Sequence, residues 1–158
     1  MPYDVRGELL DVCEHNLTTL RALVRDLPEE IVTATGSGSE RWSVLEIVCH
    51  LRDGEERALA RVKRMVEEDS PPAAGFDPVA LAEAGDYQSQ SFDEALDAFE
   101  ELRREHLAYL SSLSDEQWMR TAEHDELGSI TVQDMAAHMA GHDCVHMAQI
   151  SRRILETG

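Results

Sequence analysis

The sequence predicts an all-α protein, a four-helix bundle, on three observations. Four stretches repeat apolar residues at steps of three and four, the period of a helix with one buried face. Each stretch is bounded by capping or helix-breaking residues. No stretch alternates apolar and polar residues over a useful strand length. Four amphipathic helices bury their stripes most simply against one another. The 158 residues suit one domain spanning 1–158, long enough to bury a core without disulfides or a structural metal. Aromatic residues make up only 5% of the chain, so that core is aliphatic.

The first helix carries Leu9, Cys13, Leu17, Leu20, Val24 and Leu27 on its stripe and is interrupted at Pro28. Thr33 to Ser39 is small, polar and Gly-rich, hence a loop. The second helix opens at a capping box, Ser43 with Glu46, in which side chain and backbone satisfy each other's free N–H groups. Trp42 and Ile47 occupy the flanking hydrophobic-staple positions. Its stripe runs through Val48, Leu51, Ala58, Val62 and Met65 and stops at Ser70-Pro71-Pro72. Residues 71 to about 90 form a long connection with room for a short helix around Pro78–Ala84. The third helix begins near Ser91, with Glu94 as box partner, and buries Leu96, Phe99, Leu102, His106, Leu110 and Leu113. Ser114 to Gln117 starts a short helical turn, Gly128-Ser129 is a turn, and Thr131 caps a fourth helix reaching about Glu156.

Charge excludes two classes of partner. Lys+Arg number 14 against 32 Asp+Glu, a formal net charge of −18. Nucleic-acid binding draws on phosphate neutralisation, and an anionic membrane surface repels such a chain. The three cysteines, Cys13, Cys49 and Cys144, form no CxxC and no even-numbered framework. With no signal-peptide pattern at Met1-Pro2-Tyr3-Asp4 and no membrane-length apolar run, the expected location is the cytoplasm.

The chemistry lies in the histidines. Of seven, His138, His142 and His146 follow one another at steps of four in the fourth helix. A step of four rotates a side chain by about 40° and raises it about 6 Å. His142 and His146 therefore share a face, in the spacing with which a helix offers two imidazoles to one metal ion. Met135 and Gln149, seven residues either side of His142, continue that face. His50, flanked on its own face by Ile47, Leu51 and Gly54, points inward from the second helix. If the two helices run antiparallel, the three imidazoles reach similar depth. Two histidines four apart are more often a surface pair than ligands; the third one changes the balance.

The pattern Trp42-Ser43-x-x-Glu46-x-x-x-His50-Leu51-x-Asp53-x-Glu55, with His138-x-x-x-His142-Asp143-x-x-His146-x-x-Gln149-Ile150, resembles the DinB family of bacterial four-helix proteins. The likeness extends over essentially the whole chain. It implies an up-down-down-up bundle with a long connection between helices two and three. It also implies a divalent metal, often nickel or zinc, held by His50, His142 and His146, with His138 outside the ligand set. The family includes bacillithiol S-transferases and resembles mycothiol-dependent maleylpyruvate isomerase. The implied activity is transfer of a low-molecular-weight thiol cosubstrate to a small electrophile, and family members are often homodimers. Two rival readings are a metal-dependent hydrolase at the same site and a non-enzymatic bundle for binding or dimerisation.

Three neutral nitrogen ligands leave a coordination position open, as catalytic sites require. Residues beside the ligands should orient them or take protons. Asp53 and Glu46 flank His50 on the helix, Glu46 with a rival duty in its capping box, and Gln149 is placed to bond His142 or a ligand oxygen. Cys144 and Cys49 lie away from the ligand faces and read as small core or interface residues. His106 and His15 read as hydrogen-bonded core-edge histidines, and His124 as a solvated loop residue. Arg57, Arg61 and Arg64 form a basic stripe on the second helix, read first as ion-pairing partners of the acidic excess and second as a contact for an anionic cosubstrate.

Overall fold

The computed structural model describes residues 2–38 and 41–157; Ser39, the last residue of the expected Gly-rich loop, lies outside them. Four long helices make the bundle: α1 (Val5–Val24), α3 (Val44–Glu67), α5 (Phe92–Ser111) and α7 (Val132–Thr157). The shorter elements are α2 (Glu29–Thr33), β1 (Pro72–Ala73), α4 (Pro78–Gly85), a 3₁₀ turn (Tyr87–Ser89), α6 (Asp115–Trp118), β2 (Thr121–His124) and β3 (Gly128–Thr131).

Local chemistry sets the helix starts. The Ser43 side chain accepts from the Glu46 N–H while Glu46 reaches back to the Ser43 N–H, the complete capping box. Ser114 and Gln117 form a second at α6. At α5 only half of the expected box exists, Ser91 accepting from the Glu94 N–H. Thr131 and Asp134 bond reciprocally at the start of α7. α1 ends at Val24, short of the expected break at Pro28 and leaving Leu27 outside it, with Asp26 at φ 55° turning the chain. Pro28 instead opens the five-residue α2, so Thr33 ends a helix instead of starting a loop.

The topology is up-down-down-up. Arg6 bonds Gln133 near the start of both α1 and α7, and Asn16 bonds Asp143 further along both, so these two run parallel. α3 and α5 are parallel as well: Val48 and Phe99 share one apolar cluster, Val62 and Leu110 the next. α1 opposes α5, with Arg21 paired to Glu100 and Arg103 bonded to the Cys13 carbonyl. α3 opposes α7, since Arg153 near the end of α7 bonds the Trp42 carbonyl just before α3. Parallel α3 and α5 require the chain to travel the length of the bundle between them. The 71–91 connection does this, and α4 forms where a short helix was expected.

A small three-stranded sheet accompanies the bundle, β1 parallel to β2 and β2 antiparallel to β3, with Ala122 opposite Ile130. Gly128-Ser129, expected as a turn, begins β3, and the turn lies at 125–127. Strands of two to four residues are too short to display a period of two. The sheet ties the 71–91 connection to the chain entering α7.

The interior has three layers. One apolar cluster joins Leu17, Leu20, Val44, Ile47, Val48, Phe99 and Ile150; another joins Cys13, Val62, Met65, Leu110, Val132 and Met139. Between them along three of the helices lie buried polar residues, with Glu55 on α3, Arg103 and His106 on α5, and Asp143 on α7. All five Arg103 N–H groups are used: bidentate pairs to Glu55 at 3.0 Å each and to Asp143 at 2.7 and 2.9 Å, plus the Cys13 carbonyl at 3.2 Å. His106 Nδ1 adds a contact to Glu55 at 2.8 Å. Among the described residues, no helix is long and apolar enough to cross a membrane.

Candidate metal centre

His50 lies in the second turn of α3, and His142 and His146 lie one turn apart on the facing side of α7. Because the helices are antiparallel, the imidazoles converge: each of the three Nε2 atoms lies 3.1 Å from the other two. His50 is 5% exposed and the other two are half-buried. Trp42, beyond the α3 capping box, covers the His50 ring with centroids 5.0 Å apart.

Electrostatics keeps these rings neutral. Burial, helped by His146 and opposed by Asp53, lowers the His50 pKa to about 4. Burial and the neighbouring His146, His50 and His138 lower His142 to about 3. Burial also lowers His146, against Gln149 and Asp143. Gln149 Oε1 lies 2.9 Å from His146 Nδ1; an N–H donated there leaves the Nε2 lone pair facing the other two imidazoles.

The donors fit a divalent cation. Tetrahedral nitrogen ligands at about 2.0–2.1 Å from zinc stand about 3.3–3.4 Å apart, close to the triangle observed. Three neutral, desolvated imidazoles converging through the same ring nitrogen are the donor set that a divalent cation takes. Among the described residues, these three alone form a His/Cys/Asp/Glu group close enough to hold an ion. His138 stays outside the triangle, exposed, with its ring 5.4 Å from that of His142.

The other candidates separate clearly. Gln149 bonds His146, where His142 was the expected partner. Asp53 does not bond the triangle: its carboxylate takes Arg52 Nε at 2.8 Å and the Tyr87 hydroxyl. Glu46 is held in its capping box, and among the described residues no hydrogen bond runs from it to the histidines. Burial pushes the Cys49 thiol up to about 11 and Cys13 to about 12, so neither is a nucleophile at neutral pH. Cys144 is exposed, away from the triangle as its helical angle requires. His106 is buried on Glu55 as expected. His15 is exposed instead of lying at the core edge. His124 is no free loop residue, since its Nδ1 accepts the N–H groups of Glu126 and Leu127 in the β2–β3 turn.

A cavity of about 70 Å³ adjoins the triangle, with Gly54, Phe76, His138, Met139 and His142 in its walls. Nothing in the helical periodicity marked Phe76, which reaches this wall from the long connection. Gly54 was read only as a flank of His50; lacking a side chain one helical turn beyond His50, it leaves room beside His142.

A family model described as the DinB superfamily matches residues 13–150. The chain belongs to the DinB superfamily. Among its relatives, a protein of Oceanobacillus iheyensis named "Putative metal-dependent hydrolase OB0782" is 30% identical over 123 residues, 78% of this chain and 70% of its own. "Putative metal-dependent hydrolase YfiT" of Bacillus subtilis is 26% identical over 117 residues, 72% of this chain and 66% of its own. The solved structure of YfiT, described as "a probable metal-dependent hydrolase with an unusual four-helix bundle topology", superposes with a TM-score of 0.87 at 23% identity, covering 96% of this DinB chain and 86% of YfiT. At that identity the likeness establishes the bundle fold. With the histidine triangle, membership supports a divalent-metal site in this DinB protein.

Proposed function

We propose that this chain is a metal-dependent enzyme that joins a low-molecular-weight thiol to a small electrophile at the His50, His142 and His146 site. The observation that carries the site is the triangle of Nε2 atoms at 3.1 Å. A divalent ion held there supplies Lewis acidity, lowering the pKa of a thiol or water nucleophile and polarising a substrate oxygen. The chain's own residues do the rest. Burial keeps the imidazoles unprotonated at neutral pH, so they present lone pairs. Gln149 is a positioning residue that fixes the tautomer and ring plane of His146. Asp53 is the candidate proton acceptor beside the site, held by Arg52 and Tyr87, while Glu46 serves the α3 cap. Phe76 and Met139 make the adjoining cavity apolar, which favours an organic substrate over bulk water.

A second reading, hydrolysis by an activated water, is the activity that the relatives' names carry. Two measurements test the proposal. Protein purified without a metal-affinity column should carry about one divalent ion per chain, and His142→Ala should lose it with a more than hundredfold fall in affinity, beyond the roughly 10–100-fold typical of losing a supporting residue. Equally little metal in both proteins refutes the site. Electrophile consumption that requires added bacillithiol, mycothiol or glutathione supports transfer; consumption indifferent to thiol, with a hydrolysed product, assigns the second reading.

A further inference from the structure

The positive charge of this acidic protein is distributed unevenly. Among the described residues, eight of the 14 cations are engaged by carboxylates: Arg6 by Asp115, Arg21 by Glu100, Arg52 by Asp53, Lys63 by Glu105, Arg64 by Glu68, Arg103 by Glu55 and Asp143, Arg120 by Asp69 and Arg153 by Glu156. Arg57, on the α3 face beside the metal centre, is different. Its guanidinium packs over the Phe76 ring at 5.2 Å from the centroid, and no hydrogen bond or ion pair reaches it from the described residues. Arg61, one turn on, donates to the Ala74 carbonyl at 2.7 Å and has Asp125 and Arg57 as charged neighbours without a direct ion pair.

The cavity lined by Arg57 is the one lined by His142. Two carboxylates also line it, Glu55 and Asp143, and both are saturated by Arg103. The cavity shares Phe76, Met135 and His138 with a wider groove of about 310 Å³, whose walls include Leu127, Ile130, Asp134 and Glu126. Asp134 is committed to the Thr131 N–H and Arg61, also on the groove wall, to the Ala74 carbonyl, while Glu126 adds a carboxylate to the groove. The anionic end of a ligand is therefore favoured inward, at Arg57, and its apolar part along Phe76, Met135 and Met139.

We infer that Arg57 is the binding determinant for a carboxylate, and that the substrate class of this site is a small organic acid with an apolar body, seated between Arg57 and His142. The inference rests on the proposed metal chemistry for what reacts, but not for what binds. A planar guanidinium presents a fork matched to two carboxylate oxygens. Stacking on Phe76 restrains it in that orientation, which lowers the ordering cost of binding.

Binding of 4-phenylbutyrate and of its neutral analogue 4-phenyl-1-butanol, followed by calorimetry on the full-length protein, tests this. Both metal-loaded and chelator-treated protein are used, so that direct ligation of the acid to the ion is separated from recognition by Arg57. The expected result is at least about a tenfold preference for the acid, in line with a charge-assisted hydrogen bond, in both preparations. Arg57→Gln should abolish the preference without changing alcohol binding or metal content; Arg57→Lys should keep part of it. Arg57 is exposed and touches only a ring, so the variants fold, which circular dichroism verifies. Equal binding of acid and alcohol by the wild type, no binding of the acid, a preference present only in the metal-loaded protein, or a preference that survives Arg57→Gln overturns the inference. If the protein proves metal-free yet Arg57-dependent acid binding persists, the metal reading fails and this one stands.

Discussion

Two buried polar groups sit side by side in the bundle and meet at consecutive residues, His142 and Asp143. The Arg103 layer is nearly closed: the guanidinium spends all five N–H groups on Glu55, Asp143 and the Cys13 carbonyl, and among the described residues only His106 Nε2 is buried there without a partner. The histidine triangle is open: three like groups face one another at 3.1 Å, each kept neutral by burial. The difference teaches how burial is to be read. A desolvated charge cluster that satisfies itself is architecture, whereas neutral imidazoles converging through the same ring nitrogen form a donor set that a cation would complete. Asp143 connects the two: it is held by Arg103, and its negative charge partly opposes the lowering of the His146 pKa by burial.

The comparison breaks most violently at Arg103. Arg103→Met leaves Glu55 and Asp143 buried without their counter-ion and should cost about 3–5 kcal/mol of stability, a large share of a typical domain's total. Adding Glu55→Gln and Asp143→Asn should recover part of it, because no unpaired charge then remains. Urea unfolding followed by circular dichroism checks both; a loss below about 1 kcal/mol for the single variant would mean the layer is not the closed unit described.

Acid separates the two groups by pH window. In the metal-free protein, His50 and His142 titrate near 4 and 3 when folded and near the ordinary 6.5 when unfolded. As pH falls from 6.5 towards 4, the unfolded chain takes up protons that the folded chain refuses, so stability falls. For Glu55, burial acts to raise the pKa, but His106 and Arg103 outweigh it and hold it below its ordinary 4.5. Its contribution is therefore present above that value and is lost only in stronger acid. Metal-free His142→Ala should show a shallower fall between pH 6.5 and 4, measured by urea midpoints across the range; an unchanged slope would show that the triangle does not resist protonation.

Gln149 tests whether the open group is oriented from outside. Gln149→Leu removes the acceptor at His146 Nδ1 and should weaken metal binding by about 10–100-fold with little change in fold stability. Gln149→Glu, which retains an acceptor, should lose less. Competition with a chromogenic chelator measures both, and equal affinities for wild type and Gln149→Leu would remove Gln149 from the site.

Much of this was legible because it is written in local chemistry. The Ser43–Glu46 box, the four apolar stripes and the i, i+4 pair His142–His146 each lie within a few residues, and one antiparallel packing suffices to bring His50 to them. The Arg103 layer escaped although a signal existed: Glu55, Arg103 and Asp143 each occupy stripe positions, four residues after Leu51, Phe99 and Met139. A charge in such a place reads as a stripe's edge until its partners on two other helices are known. The β1–β2–β3 sheet escaped for want of length. Phe76 and Arg57 met only through the course of the long connection, which no periodicity describes.

Gly54 carries the smallest expected effect and marks where the open group yields to space instead of bonding. A glycine inside a helix is destabilising by about 0.5–1 kcal/mol relative to alanine. A Cβ built there would meet only His142 Cε1, at 3.9 Å, an ordinary contact. Gly54→Ala should therefore stabilise the fold by about that amount, raising the melting temperature by about 2–4 °C per kcal/mol for a chain of this size. Its methyl also narrows the cavity between His142 and Arg57, so binding of an organic acid should weaken while metal affinity is unchanged. Calorimetric melting paired with the 4-phenylbutyrate titration reads both effects. A stabilised variant with undiminished acid binding would show that the cavity beside Gly54 is not the path the ligand uses.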